Sequence, residues 1–229
     1  MNSRAALLLL FAAALPAGAA GCKRHCWYEW RDEPYIRPVF LRGERAALAR
    51  MRSLWIDDRE IGCRALGTLA REARLRGEED VARRMARALM DHFEAESNPE
   101  TRSLILAVCL REAGREDAEV HAFLKSRLNS GEHPAAAAIS LAALRPEGAF
   151  EALSSALRRA RDPGLRYELL GALWLLGDRR ALPLLERALQ DVDAEWPERV
   201  HGVTRAECRR ALAGRLQTLR AACAAENAP

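Results

Sequence analysis

Cysteine and histidine are the side chains in this 229-residue sequence best suited to bind metal or attack a substrate, and their spacing argues against both. Cys22, His25 and Cys26 form the one compact cluster. Cys63, Cys109, Cys208 and Cys223 are scattered, as are His92, His121, His133 and His201, with no Cys-x-x-Cys or His-x-x-x-His spacing of the kind zinc needs. Asp191-Val192-Asp193-Ala194-Glu195 alternates carboxylates like the start of a calcium loop. It lacks the glycine at the sixth loop position and the bidentate glutamate at the twelfth, and reads as a solvated loop between repeat units. No Gly-x-Ser-x-Gly elbow, Walker loop or strand-anchored glycine fingerprint occurs. The sequence therefore names no catalytic residue, no metal ligand and no cofactor. Glu78-Glu79-Asp80 and Asp57-Asp58 sit where helices begin, so complementing the helix dipole accounts for them.

Arginine is what remains. Lys and Arg together number 36, only Lys23 and Lys125 are lysine, and the net charge is +4. The planar guanidinium pairs bidentately with carboxylate or phosphate. Clusters occur at Arg83, Arg84 and Arg87, at Arg158, Arg159 and Arg161, and along Arg205, Arg209, Arg210, Arg215 and Arg220. Two readings stand: a gripping surface for an acidic partner, or a solvated face balanced by neighbouring glutamates.

The elements that must carry these residues are helices. Ala, Leu and Arg, all good helix formers, make up 112 of the 229 positions. Val, Ile and Thr supply only 16, too few for the β-branched strands of a sandwich, barrel or parallel sheet. At 49% hydrophobic and 30% charged the chain is globular, long enough for a real core. An all-α fold is predicted.

Residues 1–21 read as a signal peptide: Arg4 in the first few residues, the apolar run Ala5 to Leu15, then Pro16 and small residues. The run is too short to span a bilayer, and no later stretch reaches the required length without a charge. Ala19-Ala20-Gly21-Cys22 resembles the bacterial lipobox, with Ala19 where leucine is commoner, which implies acylation of Cys22. Cleavage after Ala19, giving a soluble periplasmic protein, is the alternative. Lys23 after the cysteine implies, by resemblance to Gram-negative lipoproteins, the periplasmic face of the outer membrane. Residues 22–42 then form a linker carrying the lipid-attachment cysteine.

From residue 43 to 229 amphipathic helical runs alternate with short breaks, and Pro99, Pro134, Pro163 and Pro197 recur 29 to 35 residues apart, each expected to open a repeat. The clearest copy runs from Asp162-Pro163-Gly164-Leu165-Arg166 through Leu169 to Leu176, then Gly177-Asp178 and a second helix to Asp191. It resembles a HEAT repeat of the short bacterial kind also seen in phycobilisome-lyase-type proteins, although Trp174 stands where the family usually has glycine. A weaker copy is offset by 100 positions in its second helix (Gly77, Val81, Met85, Leu89) and by 107 in its first (Arg59, Ala65, Leu66, Leu69), which implies a seven-residue extension. Helix breaks at Gly114 and at Pro146-Glu147-Gly148 divide the two copies between. The resemblance implies an α-α superhelix of about four helix pairs, closed by a capping helix over Val203 to Ala225. Residues 27–55 hold six of the thirteen aromatics, which cover the first repeat, sit among lipid headgroups or recognise a partner.

By the same resemblance the second helices line a gripping face, so Arg83, Arg84, Arg87, Arg158, Arg159, Glu186 and Arg187 are candidate partner contacts. The expected function is that of a lipid-anchored, non-enzymatic scaffold or assembly factor for an envelope protein of acidic character. Neither nucleic acid nor a small-molecule substrate is expected, because export separates the chain from genomic DNA and phycobiliproteins. The alternatives are a HEAT-type lyase or other enzyme, and an organiser that binds anionic lipid. Cys109, among apolar neighbours, is expected to be buried. Cys208 and Cys223, ~22 Å apart on a continuous helix, could join only if the chain turned at Gly214. A Cys26–Cys63 link stays open.

Overall fold

A computed structural model describes residues 37–200 and 202–226. The chain is all-helical there apart from one pair of two-residue strands, and it clusters into two compact units, 37–159 and 160–226. Cys22, Cys26, His25 and His201 lie outside the described residues.

The first unit begins with α1 (Arg37–Leu41) and α2 (Glu44–Met51), which pack on the long α3 (Ile56–Leu75). Next come α4 (Glu79–Ala95) and a helical run of α5 (Pro99–Leu104), a π-helical stretch (Ile105–Cys109) and α6 (Leu110–Ala113). Helices α7 (Ala118–Ser130), α8 (Pro134–Leu144) and α9 (Ala149–Arg159) complete it. Local chemistry sets these boundaries. The Asn98 side chain accepts from Thr101 N at 2.8 Å with Pro99 in the first turn, and Asp117 accepts from the Glu119 and Val120 amides. Gly131 ends α7 in the left-handed region at φ 80°. In α4 the buried stripe Ala82, Met85, Ala86, Leu89, Met90 and Phe93 follows the helical period.

Contacts between these helices follow a regular order. Helix α3 touches the α5–π–α6 run, which touches α8, while α4 touches α7 and α7 touches α9. Two glycines allow α3 its close neighbours. A Cβ on Gly62 would lie 2.7 Å from the Met51 nitrogen, and one on Gly67 2.9 Å from the Cys109 carbonyl oxygen. At the π-helical stretch, where bonding shifts from the i+4 to the i+5 amide, the Leu106 carbonyl accepts from the buried Ser140 hydroxyl of α8. Leu66, Leu89, Phe93, Leu106, Leu124 and Leu141 are fully buried at the centre.

The second unit holds α10 (Pro163–Leu176), a 3-10 turn (Arg179–Ala181), α11 (Leu182–Glu195), strands β1 (Arg199–Val200) and β2 (Val203–Thr204), and α12 (Arg205–Glu226). Asp162 caps α10 by accepting from Leu165 N at 2.6 Å, and Gly177 closes it at φ 75°. Helix α12 packs on α10 and α11. Trp196 is buried edge-on to Tyr167, ring centroids 6.1 Å apart, and the Arg215 guanidinium lies 4.7 Å over the Tyr167 ring.

Three local expectations are corrected. Pro197 opens no helix; β1 follows it, paired antiparallel with β2 through Val200 and Val203. Asp191 to Glu195 is the last turn and more of α11 rather than a loop, because Ala181, Leu185, Ala188 and Val192 form a buried stripe that carries the helix on. The terminal helix starts at Arg205, since Val203 and Thr204 belong to β2 and Glu207 accepts from the Thr204 amide and hydroxyl.

Candidate functional site

The arginines singled out in α4 are exposed, and each has a carboxylate. Arg84 makes a bidentate pair with Glu44 of α2, its Nε at 3.1 Å and Nη2 at 2.8 Å from the two oxygens. Arg87 does the same with Glu119 at the start of α7, at 3.2 and 2.6 Å, and Arg83 pairs with Asp80 one turn away. The hydrogen bond from Arg87 is the largest influence holding the Glu119 carboxyl below its usual range. Arg127 returns the link from α7 to Glu94 of α4 at 2.8 Å, and Arg159 of α9 donates to Asn129 of α7 at 2.8 Å. Of the residues singled out in the sequence, Arg87 of α4 and Arg159 of α9 are thus joined to α7 by polar pairs, Arg84 joins α4 to α2, and Arg83 pairs within α4. Arg158 is exposed with no ion pair among the described residues. In the second unit Glu186 accepts from Arg220 at 2.6 Å, and the adjacent Arg187 is exposed.

A deeper network lies between α3 and α4. Glu96, 2% exposed at its side chain, accepts from Arg59 Nε at 2.6 Å and Nη2 at 3.0 Å and from the Asn98 amide at 2.8 Å. Burial works to raise its carboxyl, but these hydrogen bonds and the Arg59 charge outweigh burial and hold it below the usual value. His92 Nε2 is 3.4 Å from Glu96, yet burial outweighs the carboxylate and keeps the imidazole below its usual 6.5. This is an ion pair beside a neutral histidine. Arg59 and Glu96 satisfy each other, whereas the buried His92 Nε2 makes no hydrogen bond among the described residues; Arg59 also donates to the Ser53 and Leu54 carbonyls.

The thiols follow the same logic. Cys63 and Cys109 are buried, burial pushes Cys63 well up and Cys109 up to about 12, and both stay protonated at neutral pH. Cys208 and Cys223 form no disulfide, and they lie on an α12 that runs unbroken through Gly214. Among the described residues no group of three or more His, Cys, Asp or Glu side chains is placed to hold a metal ion, and no helix is long and apolar enough to cross a membrane.

One feature of this unit is not visible in local spacing. Leu54 and Trp55, in the turn between α2 and α3, and Ile56, which opens α3, are 94%, 75% and 43% exposed, beside a shallow open groove of about 370 Å³ lined by Val39, Arg42, Ala46 and Arg50 among others. The signal available was the helix-breaking Ser53 ahead of three apolar residues; the aromatic enrichment of 27–55 includes Trp55 but does not single it out. Compared with family models, with curated proteins and with solved structures, the chain matches none.

Proposed function

We propose that the chain is a HEAT-like α-solenoid scaffold, non-enzymatic, tethered to a membrane of the cell envelope through acylated Cys22, and that it binds another envelope protein across its second-helix face. The observation that carries this reading is the order of packing in residues 56–159. First helices touch first helices, and second helices α4, α7 and α9 touch one another in sequence, as stacked repeats require. The step from stacking to scaffolding is by analogy with other helical-repeat proteins.

The lateral ion pairs refine the expected grip. Arg84 and Arg87 already hold Glu44 and Glu119, so an acidic partner must compete with those carboxylates. A partner reading mixed charge along α4, α7 and α9 fits this surface better than one reading a purely basic groove. Cross-linking in intact cells, followed by purification of the tagged protein from membranes beside a Cys22→Ala form, tests both halves of the proposal. A specific envelope protein recovered with the native form and lost with the variant supports it. Fractionation of the native form with the cytosol would overturn the anchored half, and recovery of no protein partner would overturn the scaffold half.

A further inference from the structure

We infer that the turn Leu54-Trp55-Ile56 is a membrane-inserting tip, which enters the headgroup region of an anionic bilayer while arginines around it hold lipid phosphates. This extends the anchored reading above, and its test is separate from the acylation of Cys22.

Exposure is the first argument. Three consecutive apolar residues, one a tryptophan, point into solvent, whereas Leu75 is a single exposed leucine at the far end of the 20-residue α3. Tryptophan favours the bilayer interface, where its ring is half wetted.

Rigidity is the second. Arg59, fixed by Glu96, donates to the Ser53 carbonyl at 3.2 Å and the Leu54 carbonyl at 3.1 Å. The Ser53 hydroxyl donates to Asp58 at 3.0 Å and accepts from the Trp55 amide at 3.2 Å, while Arg50 also pairs with Asp58. A turn braced at Ser53, Leu54 and Trp55 pays little ordering entropy on insertion.

Charge is the third. Residues 37–58 contain Arg37, Arg42, Arg45, Arg50 and Arg52 against three acids: Glu44, which Arg84 engages, Asp58, which Arg50 engages, and the exposed Asp57. Arg42, Arg45 and Arg52 are exposed and have no ion-pair partner among the described residues, in contrast to the paired arginines of α4. Arg42 lines the groove beside the turn. Such a surface complements anionic lipid, and the segment begins 15 residues after the expected lipid attachment at Cys22.

The test uses the protein as purified from its own cells, added to vesicles of phosphatidylethanolamine with or without phosphatidylglycerol. The emission of Trp55 is read as the difference between the native chain and Trp55→Phe, with bromine-labelled acyl chains as the quencher in the bilayer and acrylamide as the quencher in water. Expected is a blue-shifted Trp55 signal quenched from within phosphatidylglycerol vesicles. Arg42→Gln, Arg45→Gln and Arg52→Gln, all at exposed unpaired positions, should each weaken insertion by roughly five-fold. A Trp55 signal open to acrylamide and untouched by bromine-labelled lipid overturns the proposal. So does shielding of Trp55 without vesicles: if it grows with protein concentration a second copy covers the turn, and if it does not, another part of the chain does. The mass of the amino-terminal peptide reports acylation of Cys22 independently.

Discussion

Glu96 shows how a charge can be held inside a helical protein at little risk. Its two oxygens accept two guanidinium hydrogen bonds and one amide, so the cost of removing the carboxylate from water is offset by bonds that do not exist in the unfolded chain. Glu96→Gln leaves Arg59 with half its partner and should lower stability by about 3 kcal/mol in urea unfolding, near the low end for breaking a buried pair. Glu78→Gln removes a bidentate pair with Arg76 of similar geometry but on the open surface, and should leave the midpoint near that of the native chain. The same residues set the pH dependence. His92, His121 and His133 lie below the usual 6.5, chiefly through burial, so the fold holds them neutral while the unfolded chain takes up protons as pH falls through that value. Glu96 lies below its usual 4.5, so its contribution is complete above that value and is lost as pH falls through the lower, folded one. In both cases the unfolded state binds more protons, and stability rises with pH. Urea midpoints should decline below about pH 6.5 and again below about pH 4.5, the second decline being shallower in Glu96→Gln. A midpoint constant from neutral to acid pH would contradict these assignments.

Helices packed this closely depend on what their contact faces lack. Gly67 puts α3 against the backbone at Cys109, where a Cβ would lie 2.9 Å from the carbonyl oxygen and 3.0 Å from the Cα, neither of which can rotate away. Gly214 in α12 has nothing within 4 Å of the same position. Alanine is the better helix former at both sites by about 1 kcal/mol. Gly214→Ala should therefore stabilise by about that amount, while Gly67→Ala should destabilise by about 1–3 kcal/mol through overpacking. Opposite shifts in thermal midpoint, with helix content unchanged, would establish the contact; matching gains would remove it. The difference also shows what the sequence could and could not tell at this scale. Both glycines sit inside helical patterns, and only a neighbour 42 residues away distinguishes them. The breaks at Gly114 and Gly177 were legible because glycine is a poor helix former in any context. The β1–β2 pair was not, because Pro197 looks like a first-turn proline until Val200 and Val203 are seen facing each other across Gly202. Nor was the π-helical stretch, whose apolar sequence Ile105 to Cys109 is equally compatible with an α-helix; the shift is met by the Ser140 hydroxyl from α8.

Among the described residues many of the arginines are answered by acids from other elements. Arg84 and Glu44 are 40 residues apart, Arg87 and Glu119 32, Arg59 and Glu96 37, separations at which no local spacing rule operates. The sequence could therefore show that arginine was abundant and clustered, but not which clusters were balanced. Folding sets the lateral pairs across α2, α4 and α7 apart from arginines with no ion pair among the described residues, such as Arg158 of α9 and Arg42, Arg45 and Arg52 in the segment leading to the exposed turn. A charge swap tests whether the lateral pairs only join helices or also meet a partner. Arg84→Glu alone sets two acids against each other and should lower the unfolding midpoint. Arg84→Glu with Glu44→Arg restores an opposite-charge pair between the same two helices and should recover it, since both sites are surface-facing and tolerate either sign. If α4 also meets another protein, the swapped chain will be as stable as the native one yet recover less of that partner from cells, because the charge pattern presented outward is reversed while the fold is kept. Equal stability with equal recovery would limit the Arg84–Glu44 pair to joining α4 to α2, and would move the search for the partner surface to Arg158 and the exposed face of α9.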